Sequence, residues 1–254
     1  MQSAFPLIAL LLTVSPADDD GTPAARQYQA LLEEYEQEGG ARAFAGRFLE
    51  LAEEHPQDPA AADALLWVVD KVPGKPETTR ALAMLRRHHL RSERLGPASG
   101  QIADARSTAA EPLLRAVLDR SPHRDVQARA CYHLAALLDR EAVLVDQLTA
   151  RPDLAPRVLQ YYGKDYGEHL ASLKADELAK QRERVYERLL KSFPDVETRD
   201  ATMGQIAEKM LFRIRHLSIG KAAPEIKGED ISGNEFRLSD YRGKVVMLTF
   251  WGHW

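Results

Sequence analysis

Apolar positions recur every three or four residues over most of this chain, with polar residues between them. From Ala25 to Gln37 the apolar positions are Tyr28, Leu31, Leu32 and Tyr35, and Gly39-Gly40 closes the segment. That spacing predicts one helix with a single buried face. Phe44, Phe48, Leu51 and Ala52 predict a second helix, halted before Pro56. Further helices are predicted over 59–72, 77–91, 111–120, 125–138, 175–192 and 196–216, where Ala, Leu, Glu and Arg dominate and strand formers are sparse.

Three of these helices share a local pattern. Phe48-x-x-Leu51-Ala52 precedes Pro56, Leu114-x-x-Val117-Leu118 precedes Pro122, and Tyr186-x-x-Leu189-Leu190 precedes Pro194. A polar turn and a second, alanine-containing helix follow each time. Stacked helical hairpins bury apolar faces that no single pair could bury alone. The pattern is similar to tetratricopeptide arrays but lacks their spacing of about 34 residues. It predicts an irregular α-helical array over 18–216, a scaffold or a surface on which another protein docks.

The texture changes at Leu217. Gly220, Pro224, Gly228, Gly233 and Gly243 punctuate short extended runs at 225–230 and 235–238, with Ser232-Gly233-Asn234 as the turn between them. Ser239 to Gly243 reads as one helical turn, with Ser239 as its cap and Gly243 as its stop. Lys244 to Phe250 is a nearly unbroken apolar run, which predicts a strand covered on both faces within an α/β sheet.

At the other end, Ala4 to Val14 is apolar and is followed by Ser15-Pro16-Ala17 and three aspartates. The run falls short of the roughly 20 residues that a membrane span needs. Small residues at 15 and 17 fit a cleavage site, so 1–17 is predicted to be a signal peptide, although its first residues lack Lys and Arg. The expected location is periplasmic or secreted, with no membrane span after cleavage.

Composition adds exclusions. Hydrophobic residues make up 44% and charged residues 28% of 254, with a formal net charge of −4. No basic stripe marks a nucleic-acid partner. The single cysteine, Cys131, cannot form an internal disulfide and reads as a buried core residue. His88-His89 stands in a basic stretch with Arg86, Arg87, Arg91 and Arg94, read as a solvated helix face. Cys131 and His133 are two apart, poor geometry for one metal on a helix. Tyr161, Tyr162, Tyr166 and His169 are read as helix packing. No metal and no cofactor is assigned.

The C-terminal residues carry a resemblance. Gly220-Lys221-Ala222-Ala223-Pro224, then Asp230-Ile231-Ser232-Gly233, then Leu238-Ser239-Asp240-Tyr241-Arg242-Gly243-Lys244-Val245-Val246, then Phe250-Trp251-Gly252-His253-Trp254 closely resemble thioredoxin-like proteins. The similarity is to exported disulfide reductases of the TlpA and ResA type, within the AhpC/TSA redoxin group. Their pattern has alanine where Gly252 stands. The resemblance implies that 217–254 opens a thioredoxin-like α/β domain, and that Phe250, Trp251 and Trp254 frame a redox site. The family's reactive C-x-x-C pair would follow Trp254, at a helix N-terminus where the dipole favours the thiolate. It would act on protein disulfides or a peroxide, with a thiol redox partner. The 254 residues hold no such pair and are expected to be inactive alone. For a stop at that position a selenocysteine codon read as termination, or a one-base change from a cysteine codon, is expected ahead of a frameshift or a fragment. The alternative is a non-enzymatic helical interaction protein with a vestigial redoxin tail.

Overall fold

The structure is a computed structural model and describes residues 21–218, 220–249 and 251–252. The predicted signal peptide lies outside the described residues. The described chain is mainly α, with one two-stranded antiparallel sheet near its C-terminal end.

The first helix, α1 (Pro23–Glu38), begins where the Thr22 hydroxyl accepts a hydrogen bond from the Ala25 amide at 3.1 Å and Pro23 supplies a preset φ. It ends because Gly39 and Gly40 adopt φ of 68° and 77°, which side-chain-bearing residues avoid. Helix α2 (Ala41–Glu54) buries Phe44, Phe48 and Leu51, and α3 (Pro59–Lys71) buries Leu65, Trp67 and Val68 against it. The rings of Phe48 and Trp67 stack 4.1 Å apart, and Tyr28 and Tyr35 of α1 meet them edge-on. Aromatic contacts of this kind stabilise beyond the area that they bury.

Helices α4 (Pro76–His88), α5 (Leu95–Ala103) and α6 (Ala110–Arg120) continue the array towards α7 (Arg124–Ala150), the longest element. Against α7 pack α5, α6 and α10 (Ala175–Ser192); α11 (Met203–His216) covers α10. Between α7 and α10 lie two short helices, α8 (Ala155–Tyr162) and α9 (Lys164–Ser172), with α9 against α7. One continuous apolar core runs from Ala24 to Leu211. The three helices sharing the local pattern are α2, α6 and α10, and each packs against the helix that follows it.

Several boundaries differ from the sequence reading. The helix predicted over 125–138 continues to Ala150, because Glu141 finds buried partners and does not break the pattern. The helix predicted from 196 begins at Met203 instead. Residues 196–202 form a tight connection in which the Met203 amide donates to the Val196 carbonyl and Thr202 makes a reciprocal cap with Gln205. Helix α5 was hidden by Gly96, Pro97 and Gly100. Gly96 lets the helices approach closely there, since a Cβ would stand 3.1 Å from Cγ2 of Val126.

Candidate functional site

The segment that carries the redox resemblance folds locally from its turn outward. Strands β1 (Lys227–Glu229) and β2 (Glu235–Arg237) pair antiparallel, with Gly228 opposite Phe236. The Asp230 carboxylate organises the turn between them. Its Oδ1 accepts from the amides of Ser232 at 2.8 Å and Asn234 at 2.9 Å, and Oδ2 accepts from the Asn234 side chain at 3.0 Å. The Asn234 side-chain amide, aided by those backbone amides, holds the Asp230 carboxyl below the usual range. Gly233 completes the turn at φ 80°.

After β2, Leu238–Tyr241 forms a single 3-10 turn. The Arg237 amide donates to Asp240 Oδ2 at 2.9 Å, and the Ser239 amide donates to Glu225 Oε1 at 3.0 Å, tying the turn back to the residues before β1. Gly243 follows at φ 81°. The predicted turn from Ser239 to Gly243 is therefore present, one residue earlier at its start.

The strand predicted over 244–250 is not formed among the described residues. Strand geometry is held by hydrogen bonds to a neighbour, and no described segment lies alongside 244–249. Val245, Met247 and Leu248 are exposed, and Trp251 is 86% exposed. Phe250 and Trp254 lie outside the described residues, so Trp251 is the one framing residue with a described position.

The remaining candidates sit in the helical array. Cys131 is fully buried, its thiol donating to the Val185 carbonyl at 3.6 Å, and burial pushes the thiol pKa up to about 12. His89 is buried at the end of α4, and His133 packs over Gly100. Burial lowers the pKa of both rings. His88 Nδ1 meets the Gln57 side-chain amide at 3.2 Å. Arg94 pairs with Asp63, so the basic stretch is not wholly a free cationic face.

Tyr161, Tyr162 and Tyr166 do more than pack. With Ala103, Asp104, Arg106 and Arg140 they line a cavity of about 260 Å³. The Arg106 guanidinium lies 4.2 Å from the Tyr161 ring centre, and Arg140 is turned to Asp104 and to the Ala103 carbonyl. Behind this wall the Tyr166 hydroxyl donates to Glu141 Oε1 at 2.8 Å, and His169 Nε2 stands 3.4 Å from the same oxygen. The Glu141 carboxylate, bonded to His169 and only partly offset by burial, raises the His169 pKa, with Glu111 adding to the effect. Glu141 was invisible as a site residue in the sequence, because nothing local to α7 distinguishes it from a solvated charge.

Comparison with known proteins bears on the C-terminal segment alone. The sequence model of the AhpC/TSA family matches residues 219–254. The chain is 53% identical over 38 residues to the thiol-disulfide oxidoreductase ResA of Geobacillus kaustophilus (strain HTA426). It is 50% identical over 38 residues to ResA of Geobacillus thermodenitrificans (strain NG80-2) and 45% to that of Bacillus thuringiensis subsp. konkukian (strain 97-27). Each match covers 15% of this chain and 22% of the relative, so the chain spans about a fifth of the length of the curated relatives it matches. No solved structure matches the chain. A short C-terminal segment is thus similar to redoxins of the thiol-disulfide oxidoreductase kind. Among the described residues no helix is long and apolar enough to cross a membrane.

Proposed function

We propose that residues 217–254 are the opening of a thioredoxin-like domain of the TlpA/ResA type, and that the protein carrying this domain whole is a thiol-disulfide oxidoreductase. The observation that carries the reading is the match of residues 219–254 to the AhpC/TSA family, together with 53% identity over 38 residues to a ResA protein. Its chemistry would be attack of a thiolate or selenolate on a substrate disulfide, followed by resolution through a second thiol. Phe250, Trp251 and Trp254 would frame that pair, and Gly252 would take the place of the family's alanine. The 254 residues hold one cysteine, buried at 131, so on this reading they do not reduce disulfides alone.

In this proposal residues 18–216 form the attached helical array, which offers a docking surface to a protein substrate or redox partner. Export by the signal peptide at 1–17 would place the activity where disulfides persist.

The test is a chimera in which the 38 residues of this chain that match Geobacillus kaustophilus ResA replace the corresponding segment of that protein. Retained reduction of insulin disulfides supports the reading. A chimera that folds but loses activity would favour the non-enzymatic alternative.

A further inference from the structure

We propose that Glu111 of α6, Glu141 of α7 and His169 of α9 form a binding site for a divalent transition-metal cation of the zinc type. The three side chains come from helices up to 58 positions apart in sequence, yet each offers a donor atom within 4.8 Å of the other two. His169 Nε2 and Glu141 Oε1 are 3.4 Å apart, about the separation of neighbouring ligand atoms around a tetrahedral ion bound at roughly 2.1 Å.

An independent observation points into the same place. The Glu141 side chain is 1% exposed, and its Oε2 is buried without a hydrogen-bond donor. A buried carboxylate oxygen left unpaired is costly, and a cation is the partner that satisfies it most strongly. The Tyr166 hydroxyl donates to Oε1, which fixes the carboxylate while Oε1 keeps a lone pair, and Oε2 both of its own, for an ion. Such an outer hydrogen bond is the usual companion of a metal-binding carboxylate.

The surrounding charges permit a cation. The Arg115 guanidinium sits on Glu111 Oε1 at 2.7 Å, while Arg140 is turned away to Asp104 and the Ala103 carbonyl. Two carboxylates therefore face one guanidinium across the site. One imidazole with two carboxylates suits zinc or manganese better than magnesium or calcium, which prefer oxygen ligands throughout. Glu111 and His169 are each about one quarter exposed, which gives the ion a path in and leaves a position for water. Once bound, the ion ties α9 to α6 and α7 and fixes the tyrosine wall of the neighbouring cavity. The site belongs to the helical array and does not depend on the redox reading of the C-terminal segment.

The experiment is calorimetric titration of the untagged, full-length chain with Zn2+, paired with the visible absorption of added Co2+. One Zn2+ per chain with a micromolar or tighter Kd is expected. Glu141→Gln preserves side-chain shape and the bond from Tyr166, and His169→Gln changes a partly exposed position. Each should weaken binding at least about tenfold while the far-ultraviolet circular dichroism stays helical. Tyr166→Phe should weaken it about ten- to hundredfold, and His88→Gln should leave it unchanged. Should Glu141→Gln fail to fold, His169→Gln carries the decision. The proposal is overturned if the folded wild-type chain binds no stoichiometric Zn2+, or if binding survives His169→Gln.

Discussion

Cys131 of α7 faces α10 in the core with its thiol directed to the Val185 carbonyl, and its pKa of about 12 leaves almost no thiolate at neutral pH. Because the thiolate is the reactive form, Cys131 should modify slowly in the folded chain. At pH 8 its reaction with a disulfide reagent should be roughly a thousandfold slower than in denaturant, where the thiol regains its ordinary pKa. Comparable rates in the two states would show that the thiol is accessible. Core residues such as Phe48, Leu51 and Leu114 are legible in the sequence, since an apolar side chain declares its own preference for burial. Glu141 is not. A carboxylate is buried only when partners arrive from elsewhere, and Tyr166 lies 25 positions away.

Helix α2 illustrates how an element takes its stability from neighbours rather than from its own propensity. Phe48 is completely buried between Tyr28 of α1 and Trp67 of α3. Phe48→Ala should therefore destabilise the array by about 3–5 kcal/mol, because a ring-sized cavity would open among rigid neighbours. Thr202→Ala, which removes the reciprocal cap of α11, should cost about 1 kcal/mol. Urea unfolding followed by circular dichroism would measure both, and equal costs would contradict this ranking. Helix centres were legible from periodicity, whereas ends were legible only where a local signal existed. Gly39 and Pro59 announced their boundaries. Gly96 did the opposite, since a residue that reads as a breaker serves close packing against Val126.

The described residues divide into a helical core and a C-terminal segment whose described side chains do not join that core. The described apolar side chains of 220–252 stand outside the continuous cluster that ends at Leu211. Two short strands cannot bury a core of their own. Limited proteolysis should remove residues beyond about 217 first and leave the helical array intact. Protection of the tail equal to that of α10 would show that it docks on the helices. The hairpin turn was legible because Asp230, Ser232, Gly233 and Asn234 make their bonds within five residues. The run at 244–249 carries the preference for a strand without its structure, because a sequence declares that preference but not the presence of a neighbour to pair with.

Helix α7 spans 27 residues, about 40 Å at the usual rise, and is shared between the helices before it and those after it. An array of separate hairpins can lose one end while the other survives, each unit melting near its own temperature. A single rod common to both halves removes that freedom, since neither half keeps its packing surface once the rod frays. The helical array should therefore unfold in one cooperative step, behaving thermodynamically as a single unit despite its repeat-like sequence.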